Sequence, residues 1–215
     1  MSLQNMTKLQ AVNRILRAAR EHPVSSLGSG GESDTLIAEQ ILDEVTLREQ
    51  MIGLHINQTH TKFTPDSNDE VILPINTVEV RGSRWHQHRN YFFREVGGQL
   101  KLFDGDKDPA TTVFADDDEV YVRLSQCLDF ESLPPVYQYS IVDQAAAEYA
   151  AAVLPSNTAL QLLEARAARS RAMARAADIR HRPSNMFEDS RSIGLRLGRD
   201  GVARSWPYND QIGSD

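Results

Sequence analysis

Three aspartates spaced two apart, Asp104-x-Asp106-x-Asp108, are the pattern in this chain closest to a metal site. They match the opening of a calcium loop, which also needs glycine at its sixth position and a bidentate glutamate at its twelfth. Those positions hold Pro109 and Ala115, so a solvated turn is the better reading. The acidic run Asp116-Asp117-Asp118-Glu119 reads the same way. Among the histidines, His55, His60, His86 and His88 fall in one stretch, and His86 and His88 would share a strand face. No Cys or acidic residue stands beside them at ligand spacing, so scattered surface histidines are favoured over a zinc site. Gly28-Ser29-Gly30-Gly31 precedes a helix but follows another, and no Gly-Lys-Ser/Thr completes a phosphate loop; it reads as a link. Cys127 is the only cysteine and has no base near it in sequence. No serine sits in a nucleophile elbow. A carboxylate pair of the glycosidase kind could form in three dimensions without leaving a sequence mark. The expectation is no catalytic residue, no cofactor and no metal.

The stronger signals are for binding to other chains. A helix predicted from Asn157 to about Arg182 carries Leu163, Ala167, Ser170, Ala174 and Ala177 at steps of four and three. This heptad-like seam of small residues would let another helix approach closely. Arg166, Arg169 and Arg180 lie on one side of the seam, and Arg171, Arg175 and Arg182 on the other. They read either as solvated arginines or as an interface for an acidic surface. Past Pro183 the chain is polar and glycine-rich, with Ile193, Leu195 and Leu197 alternating and Trp206 and Tyr208 as anchors. Disorder is one reading. The other is an arm that adds a strand to a neighbour and fills a pocket with Trp206.

Those residues sit in a helix–strand–helix layout. A first helix is expected from about Leu3 to Arg20, stopped by His22-Pro23, with Leu9, Val12, Ile15, Leu16 and Ala19 on one face. A second begins at Ser33 or Asp34 and ends at Gly53. Its buried stripe is predicted as Ile37, Ile41, Val45 and Ile52, widened by Leu36, Leu42, Leu47 and Met51. From Leu54 to Leu133 the hydrophobic period falls to two. Ile56–Thr64 and Glu70–Leu73 read as a hairpin across Pro65-Asp66-Ser67-Asn68-Asp69, and Thr77–Arg81 as a further extended piece. Tyr91–Val96 and Gln99–Phe103 read as a hairpin across Gly97-Gly98. Thr111–Phe114 could pair with Val120–Leu124, and the whole suggests a small sandwich or curled sheet. Helix resumes after Pro134-Pro135, from Tyr137 to Leu154, with Ile141, Ala145, Tyr149 and Ala152 on one side. The fold class is α+β: a helical body from 1–53 and 134–182, an inserted antiparallel β domain at 54–133, and an extended arm at 183–215.

Bulk composition narrows the function classes. The 215 residues carry a net charge of −7, which argues against a general nucleic-acid binder. One cysteine allows no intrachain disulfide, and neither a signal sequence nor a membrane-length apolar run is present. A soluble protein made in a reducing compartment is expected.

In order and spacing, a set of short segments resembles the tail tubular protein A family of short-tailed bacteriophages. They are Ala11-Val12-Asn13-Arg14-Ile15-Leu16, Glu21-His22-Pro23-Val24, Gly53-Leu54-His55-Ile56-Asn57, Thr64-Pro65-Asp66-Ser67-Asn68 and Val71-Ile72-Leu73-Pro74. Gly97-Gly98-Gln99-Leu100-Lys101-Leu102-Phe103-Asp104, Phe130-Glu131-Ser132-Leu133-Pro134 and Asn185-Met186-Phe187 complete the set. Leu54 stands where the family usually has an aromatic, and the tail beyond Ser190 is longer than the resemblance implies.

The resemblance implies a non-enzymatic adaptor of the virion tail, assembled in the host cytoplasm. Twelve copies would form a ring between the portal protein and the tail nozzle protein (tail tubular protein B type), and double-stranded DNA would pass through without specific binding. A closed ring needs heterologous interfaces, which a helical body and a β domain can both offer. A different class of function, binding or hydrolysis of host surface polysaccharide by the β domain, is suggested by Trp85, Tyr91 and the abundant carboxylates. DNA binding is a third reading, opposed by the charge.

Overall fold

The structure is a computed structural model that describes residues 5–28, 33–82, 89–114, 119–153 and 157–181. Helix α1 runs Lys8–Ala18, shorter than predicted at both ends. Thr7 fixes the start. Its hydroxyl accepts a 3.3 Å hydrogen bond from the Gln10 amide, and the Gln10 side chain accepts one of 3.1 Å from the Thr7 amide. The helix also stops before His22-Pro23, because Arg20 adopts a left-handed φ of 66° and the Glu21 amide turns back onto the Leu16 carbonyl at 2.9 Å. Asn13 then pins the departing chain by bonding both the amide and the carbonyl of Val24.

Helix α2 spans Ser33–Met51, and Gly53 follows at a φ of 76°. That left-handed φ is what calls for glycine at the joint; a Cβ there would also stand 2.8 Å from the Gln58 side-chain nitrogen, which would have to move aside. Of the predicted α2 stripe, Leu42 and Val45 are buried, but the rest of the buried face differs. Thr35, Ala38, Leu42, Val45, Thr46, Glu49 and Gln50 are buried, while Leu36, Ile37, Leu47, Met51 and Ile52 are exposed. Ile41 is half-buried. The inward side carries small and hydrogen-bonding residues because α2 packs on both α1 and α3, and the apolar surplus faces outward.

A short 3-10 turn, His55–Asn57, leads into strand β1, Gln58–Phe63. The other strands are β2 (Ile72–Leu73), β3 (Thr77–Gly82), β4 (Tyr91–Val96), β5 (Gln99–Asp104) and β6 (Val120–Gln126). They form two antiparallel three-stranded sheets, ordered β1-β6-β3 and β2-β5-β4. The β4–β5 hairpin turns on Gly97 and Gly98, both at positive φ, as their sequence predicts.

Two predicted hairpins do not form. β1 pairs with β6 rather than with Glu70–Leu73, which instead meets β5 through Ile72 and Leu73. Thr111 and Val113 make single bridges to Asp104 and Glu70 and do not pair with β6. In both cases the apolar face decides the partner. Val120, Val122 and Leu124 alternate inward from the centre of one sheet and meet Leu73, Tyr91 and Leu102 from the other, with Val71 and Phe114 closing the core.

A second 3-10 turn, Phe130–Ser132, returns the chain to helix α3, Pro135–Val153, which opens on a proline at its first position. α3 is buried on nearly all sides from Tyr137 to Ala150; Ala152, expected on the Ile141 side, is exposed. Helix α4, Asn157–His181, lies along α3. Ile15, Leu16, Leu42, Ile141 and Tyr149 make the helical core, each fully buried aliphatic contributing about 1.5–3 kcal/mol. Leu54, Phe130 and Leu133, from the two joints, belong to this core rather than to the β core. The described residues within Met1–His181 form one compact unit, and Arg182–Asp215 lie outside the described residues.

Candidate assembly interface

Three buried polar residues fix the strands to the helices. Gln50, fully buried near the end of α2, reads the peptide of Leu128 on both sides. Its oxygen accepts the Leu128 amide at 2.8 Å and its nitrogen donates to the Leu128 carbonyl at 2.8 Å. Asn57 donates back to the Gln50 carbonyl at 2.9 Å. Asp178 of α4 accepts the His55 amide at 2.6 Å and the Tyr137 hydroxyl at 3.3 Å. Gln138 plays a similar part for the amino terminus, bonding the Met6 amide and carbonyl and the Phe130 carbonyl. The side-chain atoms of Gln50 and Gln138 that bond these peptides are paired, which turns a desolvation cost into orientation.

The small-residue seam of α4 lies toward α3. Ala167 and Ala174 are buried, and Leu163, Ser170 and Ala177 are half-buried beside them. Buried Asp178 continues the same face one residue past Ala177.

The arginines divide into two groups. Arg166 pairs with buried Asp143 at 3.2 Å, which Arg14 also approaches at 3.5 Å while stacking over Tyr139. Arg171 pairs with buried Glu49 of α2 at 2.7 Å. These two compensate carboxylates that burial would otherwise penalise. Arg169, Arg175 and Arg180 are exposed, and Arg180 donates a hydrogen bond to the Ala176 carbonyl. Arg182, Ile193, Leu195, Leu197, Trp206 and Tyr208 lie outside the described residues.

The groups that could do chemistry are placed as follows. Asp104 is buried, and its carboxylate accepts the Asp106 amide at 3.1 Å; Asp106 in turn accepts the Asn90 amide at 2.9 Å. Both carboxylates are thereby used in building a turn. No group of three or more His, Cys, Asp or Glu among the described residues could hold a metal ion. His55 and His60 are exposed, and His86, His88 and Trp85 lie outside the described residues. Burial, with Asp129 nearby, pushes the Cys127 thiol above its ordinary value, the reverse of activation for attack. A shallow groove of about 320 Å³ between α3 and α4 is floored by Ala147, Ala151, Ala167 and Ala168, and its Glu148 is held by Arg48. That pairing raises the Arg48 guanidinium further above its ordinary value. No described helix is long and apolar enough to cross a membrane.

The positions that sequence reasoning overlooked are the buried polar ones, Glu49, Gln50, Gln138, Asp143 and Asp178, and the outward apolar face of α2. Gln50 carried a usable signal, since it stands one turn beyond Thr46 on the core side of α2.

Among protein families, the chain matches the model described as "Tube: Tail tubular protein" over residues 9–184. That span includes every described strand and all but the first residue of the four helices. No curated protein matches the chain.

Proposed function

Because this chain belongs to the tail tubular protein family, and is therefore a structural component of a bacteriophage tail, we propose that it is the adaptor ring joining the portal to the tail nozzle. The observation that carries this reading is the family match across the whole helix–strand–helix unit. In it, the helical body builds the ring wall, about twelve copies close it, and the β domain faces the nozzle. The arm from Pro183 to Asp215 tethers the ring to the portal, with Ile193, Leu195 and Leu197 adding as a strand and Trp206 and Tyr208 as anchors. The arginines of α4 serve contacts between chains.

Two features support this assignment of parts. Gln50 and Asp178 hold the β domain to the helices through paired hydrogen bonds, so a load on one part is passed to the other. A net charge of −7 gives DNA little reason to adhere to a channel it must pass through.

The test is the mass and image of the purified full chain, alone and with a portal ring. A closed ring that binds the portal is expected, and deletion of Pro183–Asp215 should abolish portal binding while leaving the ring. A chain that stays monomeric at all concentrations and ignores the portal overturns the adaptor reading. Portal binding that survives the deletion overturns the role of the arm.

A further inference from the structure

Helices α2 and α4 each pack one side on α3 and turn another outward, and both outward sides carry apolar side chains left uncovered by the described residues. On α2 these are Leu36, Leu47 and Met51, with Met51 at 57% exposure. On α4 they are Leu162 and Met173, at 70% and 61%. Leu36 and Leu47 are eleven residues apart, and so are Leu162 and Met173. Eleven residues is about three helical turns, or about 16 Å, so each pair lies nearly in line along its helix. The two apolar rows therefore have the same pitch.

Their charges are opposite. Beside the α2 row stands the exposed carboxylate of Glu44; beside the α4 row stand exposed Arg169 and Arg180, with Arg175 further round the helix. Among the described residues no ion pair engages Glu44, Arg169, Arg175 or Arg180, whereas Asp43 is held by Lys8 and Arg48 by Glu148. Like faces would set carboxylate against carboxylate or arginine against arginine, which disfavours a symmetric dimer. Unlike faces complement each other.

We propose that the outward face of α2 on one subunit seats on the outward face of α4 on a second copy of this chain, head to tail around the ring. This rests on the ring reading above and specifies which surfaces close it. Such a contact is heterologous, the kind that continues from subunit to subunit until the rotation closes. Arg166 and Arg171 stay with Asp143 and Glu49 inside the subunit, and Arg169 and Arg180 face the neighbour's Glu44.

Cysteine cross-linking of the full chain tests this. In a Cys127→Ser background, Leu47→Cys is combined with either Leu162→Cys or Met173→Cys, which covers both relative helix directions. Under mild oxidation at least one pair should give a ladder of covalent trimers and larger species, while each single cysteine gives none beyond a dimer. Glu44→Arg alone should weaken assembly at least tenfold, and adding Arg169→Glu should recover most of it. Rings that form normally but yield no ladder with either pair overturn this inference and leave the adaptor reading standing. A chain that forms neither rings nor ladders overturns both.

Discussion

Asp178, near the end of α4, accepts a 2.6 Å hydrogen bond from the backbone amide of His55, in the joint where α2 gives way to the strands. The last described helix is thus tied to the start of the β domain by a carboxylate that is only 5% exposed. The Tyr137 hydroxyl donates to the same oxygen at 3.3 Å, so α3 shares the anchor. A single side chain orients three parts of the subunit.

Asp178→Ala should therefore destabilise the subunit by about 1–3 kcal/mol, the cost of leaving buried donors without an acceptor. Asp178→Asn keeps an acceptor oxygen and should lose less. Urea unfolding of both variants, followed by circular dichroism, checks this. An alanine variant with the wild-type midpoint would show that the joint does not depend on this carboxylate.

How much of this was legible in the sequence varies with the range of the interaction. Helices α3 and α4 were readable because proline, alanine content and periodicity are local signals, and both ends fall within about two residues of the expectation. The Gly97-Gly98 hairpin was readable for the same reason. Strand partners were not. β1 and β6 are joined across most of the β domain, and nothing near Phe63 in sequence announces Val120 as its neighbour. On α2, Leu42 and Val45 are core, but Leu36, Ile37, Leu47, Met51 and Ile52 are surface, and apolar periodicity alone does not separate the two sets. At the candidate interface, the α4 arginines were found from spacing alone. That Arg166 and Arg171 would be held by Asp143 and Glu49 required knowing how the helices cross.

A pH dependence follows from the turn before β2. The hydrogen bond from Lys101, with a second from Thr112, holds the Glu70 carboxyl below its ordinary value of 4.5. The amides of Glu70 and Asn68 hold Asp66 below its ordinary value of 3.8. Both groups bind protons more weakly in the folded chain than in the unfolded one. Their contribution is thus complete above those ordinary values and is lost as pH falls through the depressed ones. Thermal melts between pH 6 and about pH 3 should show the midpoint falling. In Glu70→Gln that fall should be shallower, and a slope equal to wild type would remove Glu70 from the account.

Ala174 sits on the α4 seam against the helical core with 6% exposure, while Ala176, two residues on, faces outward. The close approach of α3 and α4 leaves no room for extra methylenes at the first position and does not constrain the second. Ala174→Leu should then cost about 1–3 kcal/mol through overpacking, because neighbouring side chains or the helix itself must shift. Ala176→Leu should change stability by less than about 0.5 kcal/mol, as surface substitutions generally do. The same Ala→Leu change is made at both positions of one helix, so the small loss of helix propensity cancels in the comparison. Chemical unfolding of the two variants side by side reads the difference directly. If the Ala176 variant lost as much as the Ala174 variant, small size on this helix would be needed outside the α3 contact as well as within it.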